Sequence, residues 1–256
     1  PTNTATPTQT PTQTATGPIT SNLIAYYDAA NTTTTGALSD DDYSDVSLLL
    51  HMNGIDGSTT FTDSSSATHT ATVNGGAAIS TDEFKFGGSS YEGNGSNSYL
   101  TYAASSDFDL GTGDFTVEQW VNLKSTGSNG SLVDAWHGSS NSGSWQTFFR
   151  SASTDLRFYL RSGSTTRIIS TGDSSISADT WYHLAVTRES GTIKIYLDGV
   201  LKDSVSDSSN VGFNNRTLSI GRQTDDGSAI LNGYLDEIRI TKGVARYTSN
   251  FTPQTT

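Results

Sequence analysis

Apolar and polar positions alternate most clearly in Trp181–Asp203, WYHLAVTRESGTIKIYLDGVLKD. Tyr182, Leu184 and Val186 share one parity and His183, Ala185 and Thr187 the other, the period-two signature of a strand with one face buried. Ser190-Gly191 breaks the run, and Ile193, Ile195 and Leu197 then fall on one side of a second strand. Asp198-Gly199 predicts a type I′ hairpin turn, whose two central residues need positive φ. Val200 and Lys202 return in a third strand, so the stretch reads as a β-meander.

Shorter runs of the same kind fill the rest of the chain from Val46 onward. Val46–Met52 predicts a strand, Asn53–Gly76 a loop with a short strand, and Phe84–Tyr102 short strands broken by glycine pairs. In Phe115–Leu123, Phe115, Val117, Val121 and Leu123 share a parity; Ser131–Arg150 reads as two strands around a Gly/Ser/Asn-rich loop flanked by Trp136 and Trp145. Asp155–Ser170 reads as a hairpin turning at Ser162-Gly163, and Thr217–Arg222 as a strand followed by the acidic loop QTDDGS. The strand ILNGYLDEIRI comes next, and TKGVARYTSNF is expected as a turn and short helix returning across one face. No stretch sustains a helical period, so the expectation is all-β: an antiparallel β-sandwich of about a dozen strands.

Upstream, the pattern divides the chain differently. Residues 1–18 are a Thr/Pro-rich low-complexity arm with almost nothing apolar to offset its ordering entropy. It reads as a linker or stalk, or else as a glycosylated arm or one that packs on a neighbouring subunit. Residues 19–45 hold one extra strand, ITSNLIAYYDAAN, and a polar spacer with an acidic run. In that strand Leu23 and Tyr27 alternate with Ile24 and Tyr26. It is expected either to join the sheet edge of its own domain or to pair with another subunit's edge, as in donor-strand complementation. Residues 46–256 form the sandwich domain.

The meander resembles the central hairpin of laminin-G-like domains in the concanavalin A-like jelly-roll superfamily. SLLLHMNG, KFGGSSYEGNGSNSYLTY, GTGDFTVEQWV and GYLDEIRITKGVARYTSNFTP agree with it in the family's order. The resemblance implies a concanavalin A-like jelly roll, used in that family for sugar binding, protein binding and plain structure. Endings of the LDEIRITKGVARYTSNFTP type resemble those of phage tail fibres and microbial surface proteins. Many relatives hold one calcium, which for this chain points to Asp63 and Asp236, on segments that such domains often bring together.

Composition narrows the classes. The net charge is −12, with the acidic residues spread over loops, whereas nucleic-acid binders carry basic patches. No apolar run approaches the ~18 residues of a membrane span, so no membrane insertion is expected. The chain has no cysteine, which excludes disulfides, thiolate zinc sites and cysteine nucleophiles.

Catalytic patterns are missing where the superfamily's glucanases would have them. Those enzymes carry acidic residues at E-x-D-x-E spacing on one strand, since alternate residues converge on one face. Here FTVEQWV offers only Glu118, and Asp236 and Glu237 are adjacent and point to opposite faces. His51, His69, His137 and His183 lie apart, without the H-E-x-x-H spacing of zinc proteases. Calcium is the ligand that acidic Gly/Asn loops supply most readily, with six to eight oxygens. For a glycan, Trp136, Trp145 and Tyr234 offer aromatic platforms and Asp225 and Asp226 hydroxyl partners at a rim. The competing reading packs both tryptophans in the core.

The function expected from the sequence is therefore non-enzymatic: an extracellular, cell-surface or virion-surface module of a fibre that binds glycans or adheres. The alternative is a subunit of a homopolymeric filament assembled through Leu23, Ile24, Tyr26 and Tyr27.

Overall fold

The computed structural model describes residues 42–136, 143–212 and 217–254. The chain divides into two compact units, Pro1–Asp40 and Asp41–Thr256. The arm and the extra strand with Leu23, Ile24, Tyr26 and Tyr27 lie outside the described residues, as does His137.

Among the described residues, the second unit contains fifteen strands. These are β1 (Val46–Leu50), β2 (Ala71–Asn74), β3 (Ala78–Ser80), β4 (Ser90–Asn94), β5 (Tyr99–Tyr102), β6 (Phe115–Leu123), β7 (Gly130–Ala135) and β8 (Ser144–Arg150). There follow β9 (Asp155–Ser162), β10 (Thr165–Ser170), β11 (Trp181–Glu189), β12 (Thr192–Leu197), β13 (Val200–Ser206), β14 (Leu218–Ile220) and β15 (Asn232–Lys242). One sheet runs β13-β12-β11-β6-β15-β4-β3, with β1 also on β15, and has eight strands. The other runs β10-β9-β8-β7-β14-β5-β2 and has seven. Every pairing is antiparallel, as in the expected sandwich.

The period-two pattern becomes the core. Val117, Val121, Leu184, Val186, Ile193 and Ile195 project from the eight-stranded sheet onto Trp145, Phe149, Leu156, Phe158, Leu218 and Ile220 from the other. Each large side chain so buried contributes about 1.5–3 kcal/mol over its exposed state. The hairpin between β12 and β13 has positive φ at both Asp198 (49°) and Gly199 (76°), as the sequence predicts. A Cβ on Gly199 would also meet the Phe251 carbonyl oxygen at 1.9 Å, so this turn admits no side chain there.

β15 departs from strict alternation. Its register against β6 shifts between Asp236 and Arg239, and Glu237 has φ 47°. This is a bulge, one extra residue that resets the parity. Leu235 faces the core before it, and Ile238 and Ile240 face the core after it. The bulge also splits the strand's free edge: residues 232–235 pair with β4 and residues 238–241 with β1.

The expected C-terminal helix is absent. Residues 243–253 form an irregular strap, whose carbonyls and amides bond to side chains and turns of the eight-stranded sheet in place of one another. The compact unit also begins ahead of Val46, with a 3-10 turn at Tyr43–Asp45 whose Tyr43 hydroxyl donates to the Ser64 carbonyl.

Candidate functional site

The two outer faces differ in what covers them. On the eight-stranded sheet, Glu118, Trp120 and Asn122 of β6 lie beside His183 and Trp181 of β11 and Asp236 and Tyr234 of β15. The strap crosses this face. Arg246 Nε approaches Glu118 Oε1 at 3.1 Å as a charge contact, the Tyr247 hydroxyl donates to Glu118 Oε2 at 2.7 Å, and His183 Nε2 lies 3.4 Å from the same oxygen. Burial by itself would raise the Glu118 carboxyl, but Arg246 and His183 outweigh it and hold the group down at about 2. Phe251 stacks on Tyr247 with ring centroids 3.6 Å apart, and both rings lean on His183. Lys85 covers the Trp120 ring at 4.2 Å, and Lys124 covers Tyr234 at 4.6 Å while pairing with Glu92. The chain roofs this sheet with its own residues.

The outer face of the seven-stranded sheet presents a different surface. Outward side chains form rows across β7, β8, β9 and β10: Asp134, Gln146, Tyr159 and Ile168 in one, Ser144 and Arg161 in the next toward Trp136, and Phe148, Arg157 and Ser170 on the other side. Tyr159 meets Trp136 edge-on at 6.0 Å and Phe148 edge-on at 5.7 Å. Trp136 and Tyr159 are half-buried, and Ile168 is 49% exposed. Beneath them Gln146 is buried, with an Oε1 that has no hydrogen-bond partner.

Asp134 ties this face to the QTDDGS loop. Its Oδ1 accepts the backbone N–H groups of Trp136 and Thr224, both at 3.0 Å, and its Oδ2 accepts the Ser131 hydroxyl. Burial pushes this carboxyl up to about 6 despite those donors. The contact brings the loop carrying exposed Asp225 and Asp226 to the residue beside Trp136. Asp226 Oδ1 accepts the Ser228 N–H at 2.8 Å, so its carboxylate is turned into its own loop and held below its usual range by its bonds to Ser228.

The sequence-based rim site is thus assembled only in part. Trp136 and the loop that carries Asp225 and Asp226 are both tied to Asp134 through backbone N–H groups, those of Trp136 and Thr224. Trp145 does not join them: its parity on β8 is inward, it is fully buried against Phe158, and its Nε1–H donates to the Phe108 carbonyl at 3.1 Å. Tyr234 is also excluded, because it belongs to the outer face of the other sheet, under Lys124. Asp134, Gln146, Phe148 and Tyr159 were missed. Their alternation along SWQTFFR and DLRFYLRS was legible, but apolar residues of both parities hid which side faces out.

Asp63 and Asp236, the expected calcium pair, are each engaged by local donors. Leu50 of β1 bridges to Asp63 on one side and pairs with Ile238 of β15 on the other, so Asp63 and the β15 segment flank β1. Asp63 accepts the N–H groups of Leu49, Ser65 and His69 and the Ser65 hydroxyl. Asp236 accepts those of Lys85, Phe86 and Glu237. Each carboxylate thus answers nearby backbone donors, from segments on either side of β1. Among the described residues no group of three or more His, Asp or Glu could hold one. No described helix is long and apolar enough to cross a membrane.

Comparison with known proteins places this architecture. Residues 94–246, more than half of the chain, match the laminin-G-like family model of the concanavalin A-like lectin/glucanases superfamily. The chain belongs to that superfamily. Among solved structures, the binding domain of Paraclostridial Mosquitocidal Protein 1 superposes with a TM-score of 0.59 at 18% identity, over 80% of this chain and 51% of that one. The Botulinum Neurotoxin serotype G binding domain gives 0.58 at 16%, over 79% and 49%. The binding domain of Botulinum neurotoxin DC, solved in complex with rat synaptotagmin II, gives 0.58 at 16%, over 80% and 50%. This chain spans about half the length of these structures, and at such identities the likeness is one of fold. No curated protein matches the chain. A lectin-like binding-domain fold is what the superfamily member and its structural neighbours share.

Proposed function

We propose that this domain is a non-enzymatic extracellular module of a cell-surface, virion-surface or fibre protein. It binds a glycan on the outer face of the seven-stranded sheet. The observation that carries the reading is the contrast between a face roofed by the chain's own strap and a face presenting the Trp136 and Tyr159 rings beside Gln146. Half-buried aromatic rings next to fixed polar groups suit the apolar faces and hydroxyls of sugars.

Carboxylate geometry argues against hydrolysis. Asp134 and Asp155, the buried carboxylates of this face, sit two strands apart. The register sets Asp155 four residues along β9 from Tyr159, the residue level with Asp134. That is roughly 10 Å across and 13 Å along, beyond the ~5–9.5 Å that glycosidases require. Glu118, on the other face, is caged by Arg246 and Tyr247. Trp136→Ala tested on a glycan array should abolish binding while leaving the melting temperature within a few degrees. Unchanged binding by that variant would sink the site.

A second reading, self-assembly through residues 19–31 of a neighbouring copy, is favoured by β13, an edge strand with Val200 and Leu201 47% and 41% exposed. Negative-stain microscopy with and without residues 1–45 tests it. Filaments lost on truncation are its expected outcome, and a monodisperse species in both preparations would end it.

A further inference from the structure

We infer that the site on the seven-stranded sheet takes the end of a glycan chain, one terminal sugar held in the corner between Trp136 and Tyr159, and does not take an internal stretch. This rests on the glycan-binding reading above and adds which part of the ligand is recognised.

The rings do not form a flat track. Trp136 and Tyr159 lie 6.0 Å apart with 72° between their planes, and Tyr159 meets Phe148 at 5.7 Å and 83°. A sugar stacks by laying an apolar face on the face of an aromatic ring. Consecutive sugars of an extended chain therefore need ring faces that open to solvent in a line. Here neighbouring faces stand nearly at right angles, and Phe148 is buried. Such a pair holds a single sugar, one ring beneath it and the other against its side.

A wall bounds the site. Beyond β14 the Gly221 N–H donates to the Leu132 carbonyl and extends the pairing with β7, and the Ser131 N–H donates to the Ala229 carbonyl where the chain returns. Between these points residues 223–228 close on themselves: the Gln223 N–H donates to the Ser228 carbonyl and the Gly227 N–H to the Gln223 carbonyl. This loop stands on the outer face, because its Thr224 N–H reaches Oδ1 of the outward Asp134 at 3.0 Å. Arg222 beside it covers the Tyr99 ring of β5 at 4.2 Å, and Ser219 of β14 is buried. The chain itself thus fills the face over β14 and β5. Among the described residues, three strand spacings remain from β7 to the edge strand β10, roughly 14 Å. A glycan laid across these strands ends at the loop and leaves over β10, where Ile168 is exposed.

The floor of the corner offers polar atoms for one sugar. On β8, Gln146 lies between Asp134 and Tyr159, and Ser144 precedes Trp145, the partner of Ala135, so Ser144 is level with Trp136. Ser144 and Gln146 are 0% and 4% exposed, and Ser144 Oγ and Gln146 Oε1 have no hydrogen-bond partner among the described residues. A buried polar atom left unpaired costs free energy, and a hydroxyl of the seated sugar supplies the missing bond. The last torsion of glutamine is soft, so the amide turns to that hydroxyl without moving the backbone.

The test is titration calorimetry on the whole chain with length series from disaccharide to hexasaccharide: cello-, xylo-, manno- and N-acetylchito-oligosaccharides. The expected result is a series that binds one domain per oligosaccharide, with an affinity that stays level beyond the trisaccharide. Blocking one end of the hexasaccharide, by reduction at the reducing terminus or by methylation at the other, should abolish binding and so identify the end that enters the corner. Gln146→Leu should lower affinity about tenfold, the worth of one hydrogen bond, with the melting temperature unchanged or raised, because it deletes an atom unpaired in the free domain. Affinity that climbs steadily with length, several domains on one hexasaccharide, or full binding with both ends blocked would overturn end recognition and leave the glycan site standing. A lower melting temperature with unchanged affinity in Gln146→Leu would overturn the floor of the corner. No binding by any series would overturn both this inference and the proposed function.

Discussion

Replacing Arg246 by alanine tests how the strap holds the roofed face. Arg246 supplies the charge nearest the buried Glu118 carboxylate, at 3.1 Å, and its own side chain is only 13% exposed. Removing one partner of a buried pair leaves the other charge uncompensated, at a cost of about 3–5 kcal/mol. The titration of Glu118 points the same way: Arg246, together with His183, holds the folded value at about 2, below the ordinary 4.5, against the opposing effect of burial. Arg246→Ala should therefore lower stability at pH 7 by about 3 kcal/mol, the lower end of that range, roughly 6–12 °C in melting temperature for a domain of this size.

The pH dependence separates this electrostatic account from simple loss of packing. A carboxyl whose folded pKa is depressed contributes stability that is present above its unfolded value and lost as pH falls through the folded value. The wild-type advantage should therefore shrink as pH falls from the ordinary 4.5 toward the folded value of about 2. Urea unfolding followed by tryptophan fluorescence at pH 7, 5 and 3, on wild type, Arg246→Ala, Glu118→Gln and the double variant, measures it. The double variant should recover part of the loss, since removing both charges leaves neither uncompensated. A deficit of equal size at pH 7 and pH 3, or strict additivity of the two substitutions, would refute the reasoning.

Three further outcomes follow from named contacts. Trp145→Phe should cost about 1–3 kcal/mol by stranding the Phe108 carbonyl while leaving glycan binding unchanged, the reverse of Trp136→Ala; melting and array data on both variants check the pair. Asp63→Asn should destabilise by about 1–3 kcal/mol, equally in calcium and in EDTA, because Asp63 answers backbone donors; a calcium-dependent difference in melting temperature would instead assign Asp63 to a metal. Burial raises Asp236 to about 7; at His51 burial pulls downward, but the bond to Glu237 prevails and raises the imidazole. Both contributions are present at low pH and lost as pH rises through the folded values, so stability should fall from pH 5 to pH 8, and Asp236→Asn should flatten that fall in urea titrations.

Most of the fold was legible because alternation and turn chemistry are local. Asp198-Gly199 encodes its hairpin within two residues, and Phe115–Leu123 and Trp181–Glu189 became adjacent strands of one sheet. What escaped depended on partners far along the chain. The bulge at Glu237 is invisible in YLDEIRI, since strict alternation from Leu235 would put Ile238 and Ile240 outside. Only pairing with β6 on one side and with β4 then β1 on the other reveals the reset. Trp136 and Trp145 flank one loop and look equivalent in sequence. One reaches an outer face and the other the core, a difference fixed by the register of β7 against β8. Tyr234 looked like a rim residue beside the acidic loop because it is close in sequence, whereas the strand carries it to the other sheet.

The missing C-terminal helix explains more than its own segment. An irregular strap must satisfy its backbone groups outside itself, and the outward threonines of the eight-stranded sheet are placed to do so. Thr116 donates to the Val244 carbonyl and accepts the Arg246 N–H, and Thr187 donates to the Tyr247 carbonyl. Lys194 reaches the Thr248 carbonyl, the Asn250 side chain accepts the Leu201 N–H, and the Phe251 N–H donates to the Gly199 carbonyl. Outward positions on β6, β11 and β12 that read as solvent-facing in sequence are thus committed to the chain's own C-terminal segment. On the seven-stranded sheet the row from Gln146 to Ile168 carries Tyr159, and Arg157 and Arg161 stand in the rows on either side, in place of threonines that answer a strap. The difference between the two faces of one sandwich is thus written in which side chains answer the strap's backbone and which do not.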